Sequence, residues 1–540
     1  MQLVEIRDLD GPNVFLLEPA IKLEVAVSAG DPRDLGHLAR RLGLDATAID
    51  ASITPGGLIR ASLFELHRRC GAREPACAAH DLETPGHLAV AFGWEHRGFA
   101  MRVAEAIGEA VDGSTLDPAA ETTKLRRLLA STTEEDRPLL VRDADRHVRA
   151  IAVTGTNGKT TTTRLIAHTL RGAGLRVGWC SSSGVYIDGE EVVQGDYSGP
   201  SGARRVLTEP GLDAGVLETA RGGILLRGVA YESNDVGVFT NVSADHLDLQ
   251  GIRTVEGLAR VKAVVVRVTK ADGVAVLNAD DPLVMGATAE IRARKMLVSQ
   301  RPGNPEVDRH IEAGGAALRL ENGQFVVWRD GDRRVLIDVD QVPITFGGKA
   351  RHMVENALCA AAACLAYGLN EDQVRSGLTT FTNSPEHNIG RLNVARVNGI
   401  TVIVDYAHNE AGLAHLIDFA RLHLGKGGRL ITVIGTAGDR TDHSLREIGR
   451  IAAAGSDAVV VKGTDRYLRG RDLQELIGLY CDGIRLGGKE PAAVESLEMP
   501  AVMRAVEIAK AGDVVAIMAQ EQIPEILRYL EGLGNGATVC

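Results

Sequence analysis

Between Ala150 and Leu170 the chain reads AIAVTGTNGKTTTTRLIAHTL: an apolar run, a glycine-rich turn, one lysine among threonines, then a helical pattern. Residues of these types at this spacing can hold phosphate. Gly155 and Gly158 let backbone N–H groups approach an anion closely. The N-terminus of the helix that follows adds positive potential. Lys159 can reach the outer phosphates of a nucleotide, and the Thr160 hydroxyl can ligate Mg²⁺. The pattern G-x-x-x-x-G-K-[ST] would place glycine at 153, where Val153 stands, so this is a shortened variant. Gly155, Thr156, Asn157, Gly158, Lys159, Thr160 and Thr161 are the candidate nucleotide contacts.

In open α/β sheets, ligands bind beyond the carboxyl ends of strands. Polar residues recur at such ends. Glu218 follows VL, Asn241 and then Asp245-His246 follow VFT, Asn278 and Asp280-Asp281 follow VAVL, and Asp405-Tyr406-Ala407-His408 follow TVIV. A carboxylate and a histidine near a metal–nucleotide complex could hold a second metal ion. Taken singly, Glu218 or Asp405 could equally cap a helix. A further group, His67, Cys70, Cys77 and His80, has the spacing H-x2-C-x6-C-x2-H, and zinc accepts all four ligands. No familiar zinc module has that arrangement. The competing reading is a helix carrying His67 and Cys70, then a loop carrying Cys77 and His80.

Three units are needed to position these residues. At 540 residues the chain has room for roughly three domains of about 150 residues each. Residues 1–123 form a small α+β unit. It has strand-like segments LVEIRDL, NVFLL and KLEVAV around a Gly11-Pro12-Asn13 turn, then helices, among them GFAMRVAEAIGEAV. Residues 124–149 are charged, weakly periodic and read as a connector. From 150 to 389 short apolar runs alternate with helical ones, the signature of a parallel nucleotide-type sheet. From 390 to 540 the alternation repeats as TVIVDYAH, RLITVIGTAG, DAVVVKGTD and DVVAIMAQE, a smaller Rossmann-like domain. It lacks G-x-G-x-x-G after its first strand, which argues against a dinucleotide. The expected fold class is thus α/β in three domains: small α+β, central P-loop-type parallel sheet, C-terminal Rossmann-like.

Composition narrows the function. A net charge of −11 argues against nucleic-acid binding at large. There is no apolar run of about 18 residues, so no membrane span is expected. The opening MQLVEIRDLDGPN has no signal pattern, and seven scattered cysteines suit a reducing compartment, so the expected location is cytoplasmic.

Taken in order, GTNGKT, ETARGG, NVSADHLD, the lysine of LARVK, VLNADDP, HMVEN, GR, DYAHN and GTAGDR resemble the Mur ligase superfamily of ATP-dependent amide-bond-forming ligases. The resemblance runs from about 150 to 540. ETARGGILLRG and LARVKAVVV look most like the Mur-like half of cyanophycin synthetase. It implies ATP and Mg²⁺ as cofactors, with Lys159 and the loop amides on the β- and γ-phosphates. Thr160 and Glu218 would hold one Mg²⁺, and His246 would help hold a second. Lys262 stands where many members carry a carbamylated lysine; a surface lysine on an amphipathic helix is the alternative. Asn356 would contact adenine, Arg391 the phosphates and Asp405 the ribose, with His408 beside it. Lys159, Glu218, His246 and Lys262 would be the catalytic set.

Residues 1–120 resemble, more weakly, the N-terminal domain of cyanophycin synthetase, on the GPN turn and the WEHRGFAMRVAEAIGEAV helix. That family carries an ATP-grasp module of roughly 200 residues next, for which 124–149 leave no room. The resemblance therefore implies an ADP-forming ligase joining an amino acid or amine to a small-molecule, peptide or polymer carboxylate. The N-terminal domain would be a polymer-docking or a packing unit, and a homo-oligomer is compatible with it. Arg466, Arg469 and Arg471, in a loop at 462–473, could meet an acidic acceptor or simply face solvent. The rivals are a murein-precursor or folylpolyglutamate-type ligase, and a nucleotide-binding scaffold for a separate ATP-grasp protein. Against the murein ligases that add diaminopimelate, there is no D-N-P-R run.

Overall fold

A computed structural model describes residues 1–27, 33–45, 53–245, 247 and 250–533 of the chain. Three sheets organise it. The first is a four-stranded antiparallel sheet in the spatial order Gln2–Leu9, Ala20–Ala26, His87–Gly93, Cys77–Asp81. Alternation along Ala20–Ala26 sends Ile21, Leu23 and Val25 into the core against helices Pro55–Cys70 and Arg97–Val111. The other face carries charge, where Lys22 pairs with Glu24 at 2.5 Å and Glu5 at 3.1 Å.

Two expectations for this unit change. Asn13–Leu17 is not a strand. The Asn13 side chain donates to Gly11 O and Glu18 O and accepts from Phe15 N and Leu16 N, so it folds the segment back on itself. The connector is also shorter than 124–149, because helix Pro118–Ala130 continues through it and buries Leu125 in the first core.

The central sheet has eleven strands. Seven run parallel at its centre, in the order Ala316–Glu321, Arg294–Ser299, Thr269–Asn278, Asn234–Phe239, Arg149–Thr154, Ala214–Glu218, Val177–Ser181. Antiparallel hairpins close both edges. Strand Arg149–Thr154 is buried on both faces, with Ile151 and Val153 in one core and Ala150 and Ala152 in the other. Helices Lys159–Gly172 and Arg351–Tyr367 cover the first face. The alanines Ala360–Ala363, all at most 1% exposed, let the second helix pack closely there. Helix Val255–Arg267 covers the opposite face.

The third sheet runs Asn393–Val397, Ile400–Asp405, Val514–Met518, Leu430–Ile434, Ala458–Lys462, Ala493–Glu495, parallel after its first pair. At the end of strand Ala458–Lys462, Lys462 pairs with Glu498 at 2.7 Å, with side chains 1% and 0% exposed. Burial would raise the Glu498 carboxyl, but the Lys462 charge and backbone N–H donors hold it below the usual range. Glu498→Ala strands a buried ammonium. Its expected cost is about 3–5 kcal/mol in urea unfolding. Because the folded-state pKa is depressed, the carboxylate's contribution is present at neutral pH and lost as the pH falls through the carboxylate range. Among the described residues no helix is long and apolar enough to cross a membrane.

Candidate functional site

The loop after Arg149–Thr154 turns through Gly155 (φ 152°) and Gly158 (φ 84°) before helix Lys159–Gly172 begins. Both glycines are required by crowding as well as by φ. A Cβ on Gly155 would lie 1.9 Å from Thr240 Oγ1, and one on Gly158 would lie 2.0 Å from Asn356 Oδ1. Gly158→Ala therefore forces the loop off Asn356. The expected result is at least a tenfold loss of ATP affinity by calorimetry; unchanged affinity would place the nucleotide elsewhere.

The Lys159 ammonium donates to Thr156 O at 2.8 Å, over its own loop. The loop is pinned from the next strand, where Asn241 accepts from Asn157 N at 2.9 Å and donates to Asn157 O at 3.1 Å. Asn241 also donates to Glu355 at 2.7 Å. Burial, with Asp281 and Asp280 near, pushes the Glu355 carboxyl up to about 7 against that hydrogen bond.

Thr160 and Glu218 meet at Ser182. Thr160 Oγ1 lies 3.2 Å from Ser182 Oγ, and Glu218, 2% exposed, accepts from Ser182 N at 3.3 Å. This is an oxygen-only donor set, hard in character, of the kind that magnesium prefers to zinc.

Lys262 is not a surface lysine. It is 3% exposed and donates to Gly155 O at 2.7 Å. Burial pushes its amine well below the lysine range. The Lys159 charge adds to this, and Asp245 opposes it. His246 lies outside the described residues.

The C-terminal domain completes the site. Arg391 donates to Thr160 Oγ1 at 3.2 Å and lies 4.5 Å over the Tyr406 ring. Asn409 donates to Asn157 Oδ1 at 3.2 Å. Asp245 accepts from Arg440 at 2.7 Å and has His408 Nε2 at 3.9 Å. Asp405 accepts from Leu392 N at 2.9 Å, and burial raises its carboxyl. Thr156, Asn157, Gly158, Lys159, Thr160, Thr161, Asn356, Arg391, Asp405 and His408 line one cavity of about 100 Å³ with the stacked rings of His352 and His415. That is smaller than the roughly 300 Å³ at which ligand pockets begin. A wider cavity of about 840 Å³ lies at the far ends of strands Arg294–Ser299 and Ala316–Glu321 and holds none of these residues.

Other candidates fall away from the site. His67 Nδ1 donates to Leu63 O (2.9 Å), and the ring packs edge-on against Phe92 and Phe99. Cys77 and His80 lie on a strand rather than a loop. Among the described residues no group of three or more His, Cys, Asp or Glu is placed to hold a metal, so this quartet is not brought together. Asp281 caps helix Pro282–Ala287. Arg471 is bound by Asp442, Glu475 and Arg440 O, whereas Arg466 and Arg469 face solvent. Ser182 has no signal in the sequence, whereas His352 and Glu355 fall in HMVEN and Tyr406 in DYAHN without a role of their own. Ser182 sits in a plain serine run, and the others become neighbours only through packing.

The site is a phosphate loop on a parallel sheet, completed by residues of a second, Rossmann-like domain: the architecture of a P-loop nucleotide-binding protein. Residues 153–364 match the Mur ligase middle domain and residues 390–520 the Mur ligase glutamate ligase domain. A UDP-N-acetylmuramoyl-L-alanyl-D-glutamate–2,6-diaminopimelate ligase of Geobacter metallireducens is 32% identical over 68% of this chain and 73% of its own. The chain belongs to the Mur ligase family. A cyanophycin synthetase of Synechocystis is 42% identical over 62% of this chain but only 38% of its own, so the chain spans about two-fifths of that relative. Escherichia coli FolC in complex with ADP shares the fold at 20% identity and a TM-score of 0.53, covering 71% of this chain and 89% of that one.

Proposed function

We propose that the protein is an ATP-dependent, ADP-forming amide ligase that joins an amino acid or amine to the carboxylate of an acidic amino acid, peptide or polymer. The observation that carries this is the convergence of Lys159 and Lys262 on the phosphate loop and of Thr160 and Glu218 on Ser182 beside it, with Arg391 of the C-terminal domain on Thr160.

The substrate carboxylate attacks the γ-phosphorus in line. The bond to the β-phosphate oxygen breaks, ADP leaves and an acyl phosphate forms. The amine then attacks the acyl carbon, loses a proton, and inorganic phosphate departs. Lys159 and Arg391 offset charge on the transferring group. Thr160, Glu218 and Ser182 would hold Mg²⁺, which supplies Lewis-acid stabilisation of the phosphoryl oxygens. Asn356 stands against the loop for the adenine side, Asp405 for the ribose, and His408 beside it. Lys262, whose amine burial holds well below the lysine range, would take up CO₂, forming R–NH–COO⁻ and releasing one proton. His246 is proposed as a further metal ligand. Closure keeps water from the acyl phosphate.

Relatives named cyanophycin synthetase favour a cyanophycin-type polymer as the acceptor. The experiment is a panel of acids and amines with Mg-ATP, read by ADP release and product mass. An amide-mass product from one pair supports the ligase. A product only with folate-type or muramoyl acceptors moves the substrate class. Tight ATP binding without amine-dependent turnover of any pair contradicts it.

A further inference from the structure

A side chain of the N-terminal domain holds the helix that carries Lys262. Glu83 lies in the turn between strands Cys77–Asp81 and His87–Gly93. Its carboxylate accepts from Arg253 N (2.6 Å), Thr254 N (2.8 Å), Thr254 Oγ1 (2.8 Å) and Arg260 (2.9 Å). These donors form the start of helix Val255–Arg267, whose own N-cap is Thr254. Burial would raise Glu83, but these donors hold it below the carboxylate range. A charge here also meets the positive end of the helix dipole. The fit is close, since a Cβ on Gly257 would lie 1.9 Å from Glu83 Oε1. Two turns along the same helix, Lys262 reaches Gly155 O.

Arg7 of the first strand makes the complementary contact. It donates to Leu225 O at 3.0 Å, near the C-terminal end of helix Arg221–Arg227, and to Gln250 at 2.6 Å. An anion at one helix start and a cation at another helix end tie the first domain to helices Val255–Arg267 and Arg221–Arg227.

We propose that Glu83 is a positioning residue for Lys262: the N-terminal domain sets the axial placement of the helix that delivers Lys262 to the phosphate loop. The proposal rests on the ligase reading for what Lys262 does, but not for where Lys262 is held. A positional shift of about 1 Å at a reacting group costs on the order of a hundredfold in rate.

Full-length Glu83→Ala is expected to lower kcat at least tenfold while KM for ATP stays within twofold. Without substrate, a bulky amine-directed reagent should label Lys262 at least fivefold faster by mass spectrometry. Glu83→Gln, which keeps an acceptor for the two backbone donors, should restore more than half of kcat. Arg260→Ala should stay within twofold of wild type. If Glu83→Ala does not fold, Gly257→Ala takes its place, since its methyl displaces the same carboxylate while raising helix propensity; a lower kcat in a more helix-prone variant supports positioning. Unchanged kcat and unchanged Lys262 labelling in the folded variants overturn the proposal. A wild type without amine-dependent ADP release fails the ligase reading instead, and the labelling still decides the role of Glu83.

Discussion

Lys159→Ala is expected to lower ADP release about a thousandfold with little change in folding stability. Two observations separate these effects. The ammonium is half-buried at the mouth of the cleft, and its hydrogen-bond partner is Thr156 O of its own loop, 2.8 Å away. Alanine therefore leaves no buried charge uncompensated. What it removes is the cation over the place where the outer phosphates lie, and no neighbour can replace it. Lys262, the nearby lysine, is engaged with Gly155 O and its amine is held well below the usual range. Arg391 sits on Thr160 and belongs to the C-terminal domain. Steady-state ADP release and a thermal melt check this together. A variant retaining a tenth of the wild-type rate would remove Lys159 from the phosphoryl transfer.

Lys262 yields the second large effect. Lys262→Ala should lower kcat about a hundredfold or more if the residue supplies an anion through its carbamate. The substitutions are diagnostic because the alternatives differ in charge. Lys262→Arg keeps a cation able to reach Gly155 O but cannot take up CO₂, so it should be as inactive as the alanine variant. Small carboxylates such as formate should partly restore Lys262→Ala and not Lys262→Arg. Activity in the arginine variant would make Lys262 a structural cation. Stability should move the other way. An unfolded lysine holds its proton while the buried one has lost much of its affinity, so this residue costs stability increasingly as the pH falls below the lysine range. Lys262→Met should then be inactive without a lower melting temperature at neutral pH.

The loop, the parallel strands and most strand-end residues were legible because each is written locally. Apolar runs such as AIAVTG and VGVFTNVS give a two-faced strand directly, and GTNGKT gives a phosphate turn. The edge hairpins at 316–338 escaped the reading, although the signal was present: Asn322-Gly323 and Asp330-Gly331 both take positive φ, as tight hairpin turns demand. Other features have no local signal. Ser182 gains meaning only beside Thr160 and Glu218, and Asn409 only beside Asn157, 252 residues earlier. The burial that lowers the Lys262 amine arises from packing of its helix on the sheet, as does the anchoring of that helix by Glu83. Asn13 misled the strand reading because its side chain competes with the backbone for hydrogen bonds.

The central claim is that ATP activates a carboxylate by phosphorylating it. With the acid found by the substrate panel, prepared with ¹⁸O in its carboxylate, the released phosphate is analysed by mass spectrometry. The account predicts ADP and one ¹⁸O transferred from the acid to inorganic phosphate in each turnover, with none when the amine-dependent reaction is blocked in Lys159→Ala. Release of AMP and pyrophosphate, or phosphate free of label alongside amide product, would contradict it.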